Sequence, residues 1–238
     1  MLRDLRNALG FLTVMPVGGG PPSGRAMAAF PLVGALIGGA LLCARWALGK
    51  LVPHPLSDVL LVGFWAQLTG GLHLDGLADA CDALLAPLPP QRRLEVLKDP
   101  HIGAFGTAGV ALVLMAKAAG LYAVRGDWRA IFLAPMLARW AMALVASSCP
   151  SARSEGLGRT FQRDAGKREV LWASVWVAAG VAVAGVVGFW TAASVGLFAL
   201  AFACFVLRRI PGFTGDLYGA LGELSEVLVL TAGAALGR

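Results

Sequence analysis

Long apolar runs alternate with short polar segments along the whole chain. A helix of about 20 residues spans the ~30 Å hydrocarbon core of a bilayer, so runs of this length predict transmembrane helices. We predict seven, at residues 27–48, 56–72, 107–124, 130–148, 170–190, 193–207 and 217–236. The fifth and sixth follow each other almost without a loop. The pattern predicts an all-α fold, a polytopic helical bundle that occupies residues 1–238 as one domain in the lipid bilayer.

Composition agrees with a membrane protein, because 58% of the residues are hydrophobic, only 14% are charged and the mean hydropathy is +0.72. The net charge of +6 would suit nucleic acid. The Lys and Arg residues concentrate in particular loops, however, which is typical of membrane orientation or phosphate binding, so we expect no nucleic-acid partner. The four cysteines contain no C-x-x-C pair, which argues against a disulfide framework or a zinc site.

Basic residues are distributed unequally between the two sides of the predicted bundle. Alternate crossings put the N-terminus and the loops at 73–106, 150–169 and 208–216 on one side, and most of the Lys and Arg residues lie there. The positive-inside rule places that side in the cytoplasm, which predicts a multi-pass protein of the bacterial inner membrane. The short apolar piece at 8–14, ended by Pro16, predicts a retained segment along the membrane surface rather than a signal peptide.

The stretch from Gly70 to Asp82 is the most distinctive part of the chain. On a helix, Asp75, Asp79 and Asp82 lie at i, i+4 and i+7 and therefore share one face. Like charges at this spacing repel, so a cation is needed, and carboxylate oxygens suit Mg²⁺ when phosphates supply further ligands. A solvated acidic face at a helix end is the alternative.

Other polar residues on the same side allow two interpretations each. Asp99 and His101 form a turn that enters a helix, where they either contact phosphate or cap the helix. The basic loop with Arg153, Arg159 and Arg163 either orients the chain or binds a diphosphate. Four further charged residues lie in predicted spans. Glu223 and Glu226, at i and i+3, should share a helix face. We expect Lys117 to contact an acidic partner or a ligand phosphate, and Arg139 to extend to the membrane interface.

Four motifs together resemble one enzyme family. They are the aspartate stretch at 70–82, the Lys98–Gly106 turn, the early segment Phe11–Val17, and Gly212–Asp216 followed by Gly219–Glu223. In this order they are similar to the cobalamin synthase (adenosylcobinamide-GDP ribazoletransferase) family over nearly the whole chain. The resemblance implies that α-ribazole or its 5′-phosphate attacks GDP-activated cobinamide, that GMP leaves, and that Mg²⁺ is required. The second motif departs from the Arg-Asp-Ser-Arg type of the family, because this chain has Lys98-Asp99-Pro100-His101 and so lacks the arginines there.

Chemistry and resemblance together give one hypothesis for the site. Asp75, Asp79 and Asp82 bind Mg²⁺ that bridges the diphosphate, Asp99 or Asp216 completes the ligand shell, and one carboxylate takes the proton from the attacking hydroxyl. The expected partners are the corrinoid-GDP and α-ribazole substrates; the oligomeric state stays open, a homo-oligomer included. The candidate substrate-binding residues are His73, Lys98, His101, Lys117, Arg153, Arg159, Arg163, Glu223 and Glu226.

Two other functions fit parts of the pattern. Charges within the membrane and many glycines suit a transporter, but the chain has no internal repeat and its acidic residues cluster in a loop. A CDP-alcohol phosphotransferase would also hold metal with aspartates over a diphosphate. The chain lacks the Arg and the distal Gly-x-x-x-Asp-x-x-x-Asp of that family, which leaves it as an analogy.

Overall fold

The computed structural model describes residues 2–18, 23–163 and 165–237, and within them the chain forms helices and no β-strand. The all-α prediction is therefore confirmed. In chain order the helices are α1 (Leu2–Leu12), a 3₁₀ helix (Gly24–Ala29), α2 (Phe30–Leu51), α3 (Leu56–Leu68), α4 (Leu72–Leu85), α5 (Pro90–Val96), α6 (Ala104–Ala123), α7 (Trp128–Ser148), α8 (Leu157–Arg163), α9 (Lys167–Leu207) and α10 (Gly215–Leu236).

Five stretches in the described chain are long and apolar enough to cross a membrane: Gly24–Leu51, α6, α7, α9 and α10. The longest, α9, contains two helices, because Gly185 interrupts it with φ 63° and ψ −138°. A Cβ on Gly188 would lie 2.9 Å from the carbonyl oxygen of Val181, seven residues earlier, so the chain reverses at this point. The predicted pair of helices with a minimal connection is confirmed, but the break lies at Gly185 and not after Trp190.

The chain turns at Gly185 because only glycine readily adopts a positive φ combined with this ψ. The apolar pattern alone does not show at which residue the turn lies. Trp140 of α7 contacts both halves of α9. Its Nε1 donates to Oγ of Ser174 at 3.0 Å, and its ring lies 3.7 Å from a Cβ placed on Gly196. The segments 167–184 and 186–207 therefore run antiparallel beside α7.

The second predicted span is shorter than expected. Helix α3 ends at Leu68, and its 13 residues reach only about 20 Å. Gly70 and Gly71 both have positive φ, at 66° and 68°, and the N–H of Gly71 bonds to the carbonyl oxygen of Ala66 at 3.0 Å. This glycine pair ends the helix and lets α4 start in a new direction. With α3 and the two halves of α9 counted separately, the prediction of seven apolar helices holds approximately.

Helix α7 lies at the centre of the bundle and packs against α2, α9 and α10. Its approach to α2 is close because Gly34 and Gly38 face it without side chains; a Cβ on Gly38 would lie 2.9 Å from the Cα of Phe132. Such pairs of small residues four positions apart let membrane helices pack backbone against backbone.

A buried ion network joins α6, α7 and α10. Lys117 donates to Glu223 at 2.6 Å and also to Glu226, and Arg139 donates to Glu226. The expectation that Lys117 contacts an acidic partner is confirmed. The expectation that Arg139 extends to an interface is wrong, because its side chain is fully buried; Glu226 offsets its charge inside the bundle.

Candidate active site

Helices α4 and α10 cross at glycines, Gly76 in α4 and Gly219 in α10. A Cβ on Gly76 would lie 2.8 Å from the Cα of Asp216, and one on Gly219 would lie 3.1 Å from the Cα of His73. The two backbones therefore touch. This crossing brings Asp75 and Asp79, one turn apart on α4, beside Asp216 in the first turn of α10.

The basic loop is fastened to the segment that precedes α10. The N–H of Phe213 donates to the carbonyl oxygen of Pro150 at 2.8 Å, and the N–H of Ala152 donates to the carbonyl oxygen of Phe213 at 2.9 Å. Gly212 is required, because a Cβ there would lie 2.6 Å from the same Pro150 oxygen. These bonds fix the start of the loop and with it Arg153.

Arg153 joins three parts of the chain. Its Nη2 donates to the carbonyl oxygen of Leu97 at 2.7 Å and lies 3.4 Å from Oδ2 of Asp216, which also accepts a bond from Oγ1 of Thr214 at 3.1 Å. Its Nε is buried with no hydrogen-bonding partner in the described chain. Arg153 thus neutralises Asp216 in part and keeps one donor unused.

A cavity of about 260 Å³ lies beside this arrangement. One part of its wall is apolar and aromatic, with Phe213 stacked on Tyr218 at a ring distance of 5.3 Å. A second cavity of about 520 Å³ shares Arg153 with the first and reaches Lys98. The polar side chains that line the first cavity are His73, Asp75, Ser151, Arg153, Glu155, Arg159, Thr214 and Asp216.

The negative charges in this region are incompletely compensated. Burial, and then the carboxylates of Asp216, Asp75 and Asp82 in that order, together raise the pKa of Asp79 to about 6, against the opposing effect of Arg153. Asp75 and Asp79 have no hydrogen-bonding partner among the described residues. Within residues 2–18, 23–163 and 165–237, no three His, Cys, Asp or Glu side chains converge into a ready-made metal site.

Asp82 is bound differently from the other two aspartates of its motif. Its Oδ2 accepts from the N–H of Gly103 at 2.7 Å and its Oδ1 from the N–H of Gly106 at 2.9 Å. A carboxylate satisfies the first free N–H groups of a helix and suits the positive end of its dipole, so Asp82 caps α6. Its lone pairs are largely engaged there, which sets it apart from Asp75 and Asp79.

The structure separates Asp99 from the other aspartates. Asp99 pairs with His101, whose Nδ1 lies 2.7 Å from Oδ1 of Asp99, and both side chains are largely exposed. Hydrogen bonds to His101 lower the pKa of Asp99, and no neighbouring carboxylate contributes to the shift. Of the two residues expected to complete a metal shell, only Asp216 lies beside Asp75 and Asp79. Lys98 lines the second cavity, and Arg163 is exposed at the end of α8 without lining either cavity.

Three further predicted residues lie behind the cavity. Lys117 binds both Glu223 and Glu226 in the ion network, and none of the three lines the cavity. His73 lines the cavity and touches the network, and its pKa is lowered well below 6.5 by burial and then by the charges of Arg139 and Lys117.

Sequence reasoning missed the aromatic wall with Tyr218 and the glycines at the α4–α10 crossing. Gly76 and Gly219 each stand inside a predicted helix, which is compatible with a close helix contact but does not identify the partner.

Comparison with known proteins gives a consistent result. A family model described as cobalamin-5-phosphate synthase matches residues 4–234. A relative from Geotalea daltonii named adenosylcobinamide-GDP ribazoletransferase is 38% identical over 247 residues, which cover 100% of this chain and 99% of the relative. Relatives with the same name occur in Pseudomonas aeruginosa, 40% identical with 97% of both chains covered, and in a Roseiflexus species, 39% identical with 94% and 86% covered. No solved structure matches the chain.

Proposed function

The chain belongs to the cobalamin-5-phosphate synthase family, and we propose that it acts as an adenosylcobinamide-GDP ribazoletransferase. In this reaction a hydroxyl of α-ribazole, or of its 5′-phosphate, attacks the cobinamide-bearing phosphorus of the GDP-activated corrinoid. A new P–O bond forms, the P–O bond to GMP breaks, and the hydroxyl loses its proton. The products are adenosylcobalamin, or its 5′-phosphate, and GMP.

One observation carries this proposal: a single cavity contains both carboxylates and arginines. Asp75 and Asp216 line it together with Arg153 and Arg159, and Asp79 lies within electrostatic reach. Displacement at phosphorus needs its charge neutralised and its oxygens positioned, which cationic side chains and a metal ion achieve. The guanidinium groups of Arg153 and Arg159 are the donors that we propose for the diphosphate oxygens.

Mg²⁺ is the cofactor that these residues fit. Asp75 and Asp79 have no hydrogen-bonding partner among the described residues, and burial and the neighbouring carboxylates raise the pKa of Asp79 more than Arg153 lowers it. We propose that Asp75, Asp79 and Asp216 hold the ion, which when bound neutralises charge on the diphosphate. Mg²⁺ normally takes one or two carboxylates together with substrate phosphates, so a ready-made protein cage is unnecessary. One of the three carboxylates takes the proton of the attacking hydroxyl.

The direct experiment uses purified protein in detergent with adenosylcobinamide-GDP and α-ribazole phosphate. We expect GMP and the joined corrinoid in equal amounts, and neither when one substrate is omitted. GMP release that does not need α-ribazole phosphate, or no release from folded protein, would contradict the proposal.

We also propose that the protein lies in the bacterial inner membrane with this cavity facing the cytoplasm. The cavity occupies the end of the bundle where most Lys and Arg residues lie. In a cysteine-free background, Ser154→Cys should react with a membrane-impermeant maleimide only in inside-out vesicles, and Lys50→Cys only in right-side-out vesicles. The opposite labelling pattern would show that the cavity faces the periplasm.

A further inference from the structure

His73 stands between the cavity and the buried ion network. Its side chain is 5% exposed and lines the cavity, while its Nδ1 lies 3.3 Å from Nη2 of Arg139. A guanidinium has only donors, so the nitrogen that faces it must accept. Nδ1 therefore carries no proton, and the imidazole proton sits on Nε2.

The network holds Arg139 in this position. Arg139 donates to one oxygen of Glu226, whose other oxygen accepts from Lys117, and Lys117 also donates to Glu223 at 2.6 Å. The two positive charges of Lys117 and Arg139 balance the two negative charges of Glu223 and Glu226, so the cluster is neutral without a further ligand. It ties α6, α7 and α10 together behind α4 and fixes the orientation of the guanidinium toward His73.

The other ring nitrogen has no such partner. Nε2 of His73 makes no hydrogen bond within the described chain. Nε2 is not among the fully buried polar atoms that lack a partner in the described chain, so it is accessible from the cavity that His73 lines. The cavity that His73 lines also contains the donors of Arg153 and Arg159, which is where anionic oxygens of a substrate would lie.

We propose that His73 donates a hydrogen bond from Nε2 to a diphosphate oxygen of the activated substrate, and that Arg139 and Glu226 are positioning residues that fix its tautomer. The identity of the ligand rests on the proposed function, whereas the tautomer follows from the hydrogen-bond geometry. His73 serves as a fixed donor that complements the arginines.

The tautomer can be measured without turnover. The chain contains three histidines, so protein labelled with ¹⁵N-histidine gives three imidazoles in solid-state NMR, and His73→Gln identifies one of them. We expect the His73 signal to show the Nε2–H tautomer, and its Nε2 proton to shift downfield when adenosylcobinamide-GDP is added. An Nδ1–H tautomer, or no shift on binding, would overturn the proposal.

Two substitutions test the role of the donor. The amide nitrogen of Gln can take the place of Nε2, whereas the shorter Asn reaches only the place of Nδ1. For His73→Asn we expect kcat/KM for the corrinoid substrate to fall by about 10²–10³, the size seen when one transition-state donor is removed. His73→Gln should stay within about tenfold of the wild type, and the KM for α-ribazole phosphate should be unchanged in both.

Equal loss in both variants at wild-type melting temperature would show that the ring itself is needed, and full activity in both would show that the donor is not used. Either result overturns the proposal. If the wild-type protein released no GMP at all, the proposed function would fail instead, and the NMR result would still report the tautomer.

Discussion

The three aspartates of the most distinctive motif share a helix face but not an environment. Asp82 accepts two backbone N–H groups at the start of α6, whereas Asp75 and Asp79 have no hydrogen-bonding partner in the described chain. The i, i+4, i+7 spacing predicted the shared face correctly. It could not show that Gly103 and Gly106, more than 20 residues away, take up one carboxylate.

Asp79 should make stability depend on pH. Its pKa of about 6 in the folded protein exceeds the ordinary 3.8, so the folded state binds the proton more tightly and loses stability as pH rises through this interval. We expect Asp79→Asn to raise the melting temperature at pH 8 in EDTA, with a gain that shrinks as pH falls from about 6 toward 4. Scanning fluorimetry in detergent measures this.

Mg²⁺ provides the control for that prediction. Added at pH 8, it should raise the melting temperature of the wild-type protein more than that of Asp79→Asn. A gain from the substitution that is equal at pH 8 and pH 4.5 would show that repulsion at Asp79 is not its cause.

The ion network should be sensitive to the loss of one charge. Glu226→Gln leaves two buried cations with a single carboxylate, and an uncompensated buried charge costs about 3–5 kcal/mol. We expect a large fall in melting temperature. The matched control is Glu95→Gln, because Glu95 pairs with Arg92 at 63% exposure and such surface pairs contribute about 0–1 kcal/mol. Equal effects of the two substitutions would contradict the network's role.

At the scale of elements, the site depends on the crossing of α4 and α10. Long apolar runs located most of the membrane helices to within a few residues, because burial in lipid requires such runs. Glycines determine where helices end, turn or cross. Gly70 and Gly71 end α3, Gly185 reverses the chain within α9, and Gly76 lets α4 approach Asp216 of α10. A glycine within a predicted helix is compatible with all of these roles, so the sequence alone did not separate them.

Gly76→Ala should separate the two helices and impair the site. The added methyl would lie 2.8 Å from both the Cα and the carbonyl oxygen of Asp216, which is backbone and cannot turn away. Overpacking of this kind costs about 1–3 kcal/mol, and we expect it to displace Asp75 from Asp216 and lower GMP release at least tenfold.

The control for this substitution is Gly63→Ala in α3, where nothing lies within 4 Å of the new methyl. Alanine is about 1 kcal/mol better than glycine in a helix, so this variant should keep its activity and melt at the same or a higher temperature. If Gly76→Ala behaved in the same way, the close crossing would not be needed for the site.

At the scale of the whole molecule, the bundle concentrates its chemistry at one end. The aspartate helix, the basic loop and the start of α10 are far apart in sequence. The prediction that they lie on one side is confirmed, because Arg153 pairs with Asp216 and Asp75 lines the same cavity. Alternate crossing of a membrane is sufficient to predict this. It is not sufficient to predict that Arg139 is buried, because the partner that offsets its charge lies 87 residues further along the chain.

We propose that the carboxylates beside this cavity act with Mg²⁺ in the transfer reaction. The most direct test measures GMP release from both substrates as a function of Mg²⁺ concentration, in the wild-type protein, in Asp79→Asn and in the surface control Glu95→Gln. We predict Mg²⁺-dependent release in the wild type and the control, and a loss of at least 10²-fold in Asp79→Asn that added Mg²⁺ does not restore. Release that persists in EDTA, or that is unchanged in Asp79→Asn, would show that the reaction does not depend on Mg²⁺ held by these carboxylates.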